Sequence, residues 1–537
     1  VTSATHAGKP GAAPGQTGEL KQGMSLTGML ILGIGGTIGT GALFSGVGMA
    51  AVAGPAMIVA WVVGAIIYAF IGITYIDLSV RFPEAGGPSR YALYTHGHVA
   101  NLVNSVGSLI WYLFIPPIEA LATVEGLAHF DAGLLETNGD PTTVGALVAV
   151  GLTLLFVPFN YYGIQAFTRF TNVLGGAKIL LYVLLAAGVA ILLTHAGNFT
   201  HFGGFAPFGF GGVLAAVPLA MFAFGGIRVL PDFAEEVTDS RHLKVSIIVS
   251  IVGQSLIYVL FGVAFIGAID WGKLSVATGS WSSLSKVAGN PFILLTNNDV
   301  VWLLALAVLV GILGPFVDGY VYQGAGSRVL LAMGRSGYVS RRMKEVSATR
   351  GIPVGALLAI TAVGAVISFL AAPVPSIYSL INDSVVAGYI AFAAVPVAML
   401  ALRRQKGERL SVPTAIVGAL AFGGASLIVY WSGWPSVPYA VVLSAVGVIG
   451  FGLFSRATGF THAIWYLVWV LFLVGMTYVG SVGKGTEISF DLGTAIVALV
   501  SIVVFLPWGL VSRLPALGAI DATDPKGVPA VSPAAGR

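Results

Sequence analysis

The stretch GIGGTIGTGALF, residues 33–44, sets five glycines inside an apolar run that begins near residue 26. Each interior glycine costs a helix about 1 kcal/mol against alanine. Non-helical backbone at membrane depth survives only where it faces protein or lines a water-filled cavity. An unwound point there bares N–H groups from one half-helix and C=O groups from the other, which suits a zwitterion. The competing reading is a close-packing face, since small residues such as Gly36 and Gly41 also let two spans approach.

A second interruption tips the balance. MFAFGGIRVLPDFAEEV, residues 221–237, again places adjacent glycines, Gly225 and Gly226, at mid-depth, followed by Arg228 and Pro231. Two Gly/Pro-interrupted segments at matching places in two halves point to a transporter binding site. A dinucleotide reading of the first glycines fails. GxGxxG counted from Gly33 demands glycine at 38, where Ile38 stands, and no strand precedes it.

Composition agrees with a membrane location. The chain of 537 residues is 56% hydrophobic and 9% charged, with a mean hydropathy of +0.91, against about 25% charged in soluble proteins. Without cysteine there is no disulfide framework, thiolate metal site or thiol nucleophile. Residues 1–23 and 513–537 are small, polar and rich in Gly and Pro, and read as disordered tails without a signal-peptide layout.

At roughly 20 apolar residues per crossing, about fourteen spans are expected: 26–50, 55–80, 99–129, 142–162, 172–195, 211–237, 243–269, 298–333, 353–372, 376–402, 412–431, 437–455, 462–480 and 490–511. Lys and Arg concentrate in alternate loops, among them 81–90, 240–244, 334–350 and 403–409. The positive-inside rule then puts both termini in the cytoplasm, with the protein in the cell membrane.

At these residues the chain resembles the amino acid–polyamine–organocation transporters. The likeness rests on IGTGALF (38–44), GP (54–55), FPEAGGPSRYA (82–92), FAFGGIRVLPDFAEEV (222–237), SRVLLAMGRSG (327–337) and GIP (351–353). It implies an all-α polytopic protein with a LeuT-like inverted repeat of five plus five helices over 24–405. The two repeats would cover about 24–195 and 211–405, with about four accessory helices over 406–512. It also implies secondary active transport of an amino acid by alternating access, as a symporter or exchanger. Carried over residue by residue, the substrate carboxylate meets the amides of Gly39 and Gly41 and the Thr40 hydroxyl. The ammonium meets carbonyls near Thr37 and, in the second break, near Phe222, Gly225 and Gly226. Phe222 and Phe224 pack over the side chain as a gate, or serve as ordinary core.

Lys178 lies in the fifth expected span. It either snorkels to the interface or, as the resemblance implies, stands where sodium-coupled relatives hold an ion. An ammonium held away from water is costly, so such a lysine can exchange a proton. YQGAGSR (322–328) offers few hydroxyls for sodium, so proton coupling or sodium-independent exchange is expected. Arg228 departs from the family pattern, which has an acid there. It either pairs with Asp232 at i,i+4 or favours an acidic or polar substrate, because the guanidinium fork suits a carboxylate.

Glu119 and Glu125 read as acids that either protonate or lie buried against partner helices, and Asp318, with Asn382 and Asp383, as residues that line an outer vestibule or are buried in the same way. Glu235 and Glu236, with Arg241 and Lys244 nearby, suit a closing latch or a solvated helix end. Trp431, Trp434, Tyr439, Trp465, Tyr466 and Trp469 suit interfacial belts. Neither HExxH nor a phosphate loop is present, which argues against an enzyme. No cofactor, metal or nucleic-acid partner is expected. The partners are the lipid bilayer, an amino acid and a proton rather than sodium, with the oligomeric state open. A sensor that binds without transporting is the alternative function.

Overall fold

The computed structural model describes residues 18–296, 300–370, 377–455, 457–483, 485 and 487–515, with 377–385 described through the backbone alone. Most of both expected tails therefore lies outside the described residues. The described chain is helical. Its helices are α1 (Leu26–Gly35), α2 (Thr40–Ala53), α3 (Met57–Arg81), α4 (Tyr91–Leu127), α5 (Thr143–Tyr161), α6 (Ile164–Leu192), α7 (Gly209–Ala223) and α8 (Gly226–Asp232). There follow α9 (Arg241–Ala268), α10 (Pro291–Thr296), α11 (Val301–Arg335), α12 (Val354–Leu370), α13 (Ile377–Gln405), α14 (Val412–Trp431), α15 (Ser436–Ser455) and α16 (Ile464–Val479). The last is α17 (Phe490–Val511).

Both expected interruptions are present. The Ser25 hydroxyl accepts from the Gly28 N–H at 3.3 Å and starts α1. The Gly36 N–H turns back onto the carbonyls of Ile31 and Leu32 at 2.9 and 3.1 Å, closing that helix end. Residues 36–39 are irregular, and the helix resumes at Thr40. In the second break the Phe224 N–H closes on Met221 O at 3.1 Å. Phe224 leaves the helical region at ψ 50°, and α8 begins at Gly226.

In its described residues every expected span falls on helix, while residues 298–299, 371–372 and 376 of three spans lie outside them, and two helical stretches begin earlier than the apolar windows indicated. α6 starts at Ile164, its first turns IQAFTR continuing the helix beyond the lipid-matched part, whereas the stretch from Tyr91 reaches the third span only across a kink at Gly97, whose φ of 80° and ψ of −171° are non-helical. Among the described residues, eleven helical stretches are long and apolar enough to cross a membrane, and Leu26–Arg81 takes in two expected spans. Val354–Leu370 and Ile464–Val479 are shorter apolar helices. Large apolar side chains line the outside, among them Leu154, Val173, Leu256 and Leu453. The protein is a polytopic helical membrane protein.

Packing centres on the broken helices. α2 lies along α7, α1 against α6 and α9, and α4 between α11 and α13. The aromatic residues of α16 correct one expectation. Trp465, Tyr466 and Trp469 form a buried stack, not an interfacial belt. The Trp469 indole donates to Ser426 Oγ at 3.1 Å and the Tyr466 hydroxyl to Ile390 O, fastening α16 to α14 and α13. Trp431 is buried as well, whereas Tyr439 is exposed.

Candidate functional site

The two breaks meet. A Cβ on Gly226 would collide with the Gly33 carbonyl, so only glycine lets the second break press onto the first. Between them a narrow cleft of about 10 Å³, room for a water-sized sphere, is lined by Thr37, Gly39 and Gly41 from the first break and Phe222 from the second. Glu119 of α4 and Asp318 of α11 complete it. Tyr322 also borders the cleft, its hydroxyl standing where a Gly225 side chain would begin.

At the amide end of the cleft, the Thr40 N–H and hydroxyl both donate to Glu119 Oε2, at 3.1 and 2.5 Å. A carboxylate at a helix N-terminus meets unsatisfied donors and the positive end of the dipole. Gly39 has no room for a side chain, because a Cβ would run into both the Asp318 and the Glu119 carboxylates. Lys178 Nζ donates to Asp318 Oδ1 at 2.9 Å, with the two side chains 1% and 4% exposed. Lys178 is therefore an inward ion-pair partner and does not snorkel.

The carbonyl end is also supplied with donors. Gly33 O accepts from Thr37 Oγ1 at 2.8 Å and from Gln254 Nε2 at 3.2 Å. Ala223 O accepts from the Tyr258 hydroxyl at 2.5 Å, and Gly39 O from the Tyr182 hydroxyl at 3.3 Å.

Other expected residues are placed differently. Phe222 lines the cleft, but Phe224 is fully buried among Trp61, Tyr68 and Tyr258, with ring centroids 6.1, 5.1 and 5.0 Å away. It is core. Arg228 stands apart from the cleft lining and is 1% exposed, its guanidinium 5.2 Å from the Tyr112 ring and 4.9 Å from that of Phe392. The Arg228–Asp232 ion pair suggested by their spacing does not form. Asp232 instead accepts from the Tyr112 hydroxyl. Arg228 Nε and Nη1 and Asp232 Oδ1 are buried without hydrogen-bond partners.

Ion pairs cross the basic end of the bundle. Glu235 and Glu236 pair with Arg335 and Arg328 of α11, not with Arg241, which takes Asp239, nor with Lys244. The Arg328 pair is bidentate, at 2.8 Å in both contacts. Burial raises the Glu235 carboxyl, but the Arg335 fork outweighs it and holds the group below its ordinary value. Burial pushes the Glu84 carboxyl up, against the opposing pull of Arg90. The segment entering α1 also crosses this end. Gly23 and Met24 N–H groups donate to Glu236 O at 2.9 and 3.1 Å, and Gly18 N–H to Val346 O at 2.9 Å.

Glu119 and Asp318 were not among the expected site residues. A signal existed. An intramembrane lysine requires an anionic partner, so Lys178 called for a carboxylate from another span.

The sequence model of the amino acid permease family matches residues 24–426. The chain is 29% identical to the aspartate–proton symporter of Bacillus subtilis, over 94% of this chain and 99% of that one. It is 28% identical to the glutamate/serine transporter AimA of the same organism, over 92% and 94%. It is 25% identical to the branched-chain amino acid permease BcaP, also of Bacillus subtilis, over 82% and 94%.

Proposed function

The chain belongs to the amino acid permease family, and on that premise we propose a secondary active transporter of acidic amino acids. It works by alternating access in the cell membrane, with both termini cytoplasmic and the basic end facing the cytoplasm. The ten helices of residues 24–405 form two inverted repeats whose first members are the broken helices. The amino acid lies in the cleft between the breaks. Its α-carboxylate takes the amides of Gly39 and Gly41 and the Thr40 donors, its ammonium the carbonyls near Thr37 and Phe222. Proton coupling runs through the acids and the lysine around Gly39, without sodium.

The observation that carries this reading is the meeting of two unwound points at one cleft, because such backbone is tolerated at depth only where it serves a cavity. For the side-chain preference, the support is Arg228. A buried guanidinium held by two rings, with two nitrogens unpartnered, suits a second carboxylate admitted past Tyr322 and Tyr112 as the cleft opens. The name of the aspartate–proton symporter points the same way.

Uptake of labelled aspartate, glutamate, serine, leucine and arginine into proteoliposomes tests it, with and without an inward proton gradient and with and without sodium. Aspartate or glutamate should accumulate with the proton gradient alone. Preferred uptake of arginine would overturn the substrate assignment, and binding without accumulation or exchange would make the protein a sensor.

A further inference from the structure

We infer that Glu119 holds the place of the substrate's α-carboxylate at the N-terminus of α2, so that an amino acid binds only as Glu119 takes up a proton. The inference rests on reading the two breaks as the substrate site. Thr40 supplies two donors to the cleft, and one oxygen of Glu119 accepts both. An arriving α-carboxylate needs the same donors. Two ionised carboxylates cannot share one helix end in a dry site, because like charges at close range disfavour double ionisation.

The neighbours single out Glu119. Asp318 and Tyr322 face it from α11, Lys178 and Tyr182 from α6, and Tyr258 from α9. The sequences of α1, α2 and α7 contain no titratable side chain. Asp318 is already balanced by Lys178. Among the described residues Glu119 has no salt-bridge partner, so its counter-charge is the helix end together with the more distant Lys178 ammonium, which Asp318 already shares.

The exchange balances simply. A hydronium ion from the aqueous side gives its proton to a Glu119 oxygen and leaves as water, and the neutral Glu119 gives up its charge-assisted bonds to Thr40. The substrate stays zwitterionic, and its carboxylate takes the freed donors. When the amino acid leaves on the other side, Glu119 releases the proton there and returns to Thr40. One proton thus travels with each amino acid, and by linkage each favours the binding of the other.

The test is calorimetric binding of L-aspartate, with L-serine in parallel because the α-carboxylate is common to both, to the detergent-purified full chain across a pH series. Buffers of different ionisation enthalpy report proton uptake. For the wild type, affinity should weaken about tenfold per pH unit over the range where Glu119 is charged, with close to one proton taken up per amino acid. Glu119→Gln should bind both ligands with the slope gone and no proton uptake.

A folded Glu119→Gln that keeps the slope overturns the inference, as does one that no longer binds. So does a wild type whose affinity ignores pH. If Glu119→Gln fails to fold, proton uptake and the infrared carbonyl band of a newly protonated carboxyl on substrate addition, both read on the wild type, decide. Their absence overturns the inference. A wild type that binds neither amino acid at any pH sinks the transporter reading itself, which separates the two failures.

Discussion

A guanidinium kept away from water without an ion-pair partner is expensive, and Arg228 lies between the rings of Tyr112 and Phe392. If its unpartnered nitrogens receive the substrate side chain, Arg228→Gln should weaken aspartate binding about 10- to 100-fold and leave serine binding within about twofold, measured on the same preparation. For the Lys178–Asp318 pair, removing one partner strands a buried charge. Asp318→Asn should destabilise the protein by about 3–5 kcal/mol, whereas the double change Lys178→Met with Asp318→Leu should recover most of that loss. Thermal unfolding in detergent checks both, and the double variant should still fail to accumulate substrate against a gradient. Only part of this site could be read in advance. Thr37, Gly39, Gly41 and Phe222 were legible because glycine weakens a helix locally. Glu119 and Gln254 reach the first break from 79 and 217 residues away in sequence, and nothing local announces such contacts.

At the scale of elements, the interruptions depend on steric permission as much as on poor helix propensity. Gly226→Ala puts a methyl group into the Gly33 carbonyl. It should cost about 1–3 kcal/mol of stability and abolish uptake, since the breaks would be pushed apart; melting temperature and proteoliposome flux check it. The helices themselves were readable from apolar length, and both breaks fell where glycine pairs occur. Which way an all-round apolar helix turns its rings was not readable, because such a helix has no polar face to orient it. The sequence IWYLVWV therefore suggested a lipid interface, whereas Trp465, Tyr466 and Trp469 face the bundle.

Across the whole molecule, the ion pairs of Glu235 and Glu236 with Arg335 and Arg328 join the end of α8 to α11, so the basic end opens only when they part. The absence of native cysteine lets a nitroxide pair on Lys244→Cys and Arg342→Cys report that opening. Arg335→Gln should lengthen the measured distance. The pH dependence has a definite sign. The Glu235 carboxyl is held below its ordinary value of 4.5, so its contribution to closure is complete above that value and fades as pH falls through the lower one. The distance should therefore hold constant from about pH 8 to about pH 5 and grow only in stronger acid. The leading segment adds a mechanical corollary. Gly18–Met24 is stitched to Val346 on one side and to Glu236 on the other, so it works as a drawstring across the mouth. Tension applied at the N-terminus would be spent first on undoing those stitches, and in a single-molecule pulling trace that small yield should precede the extraction of any helix.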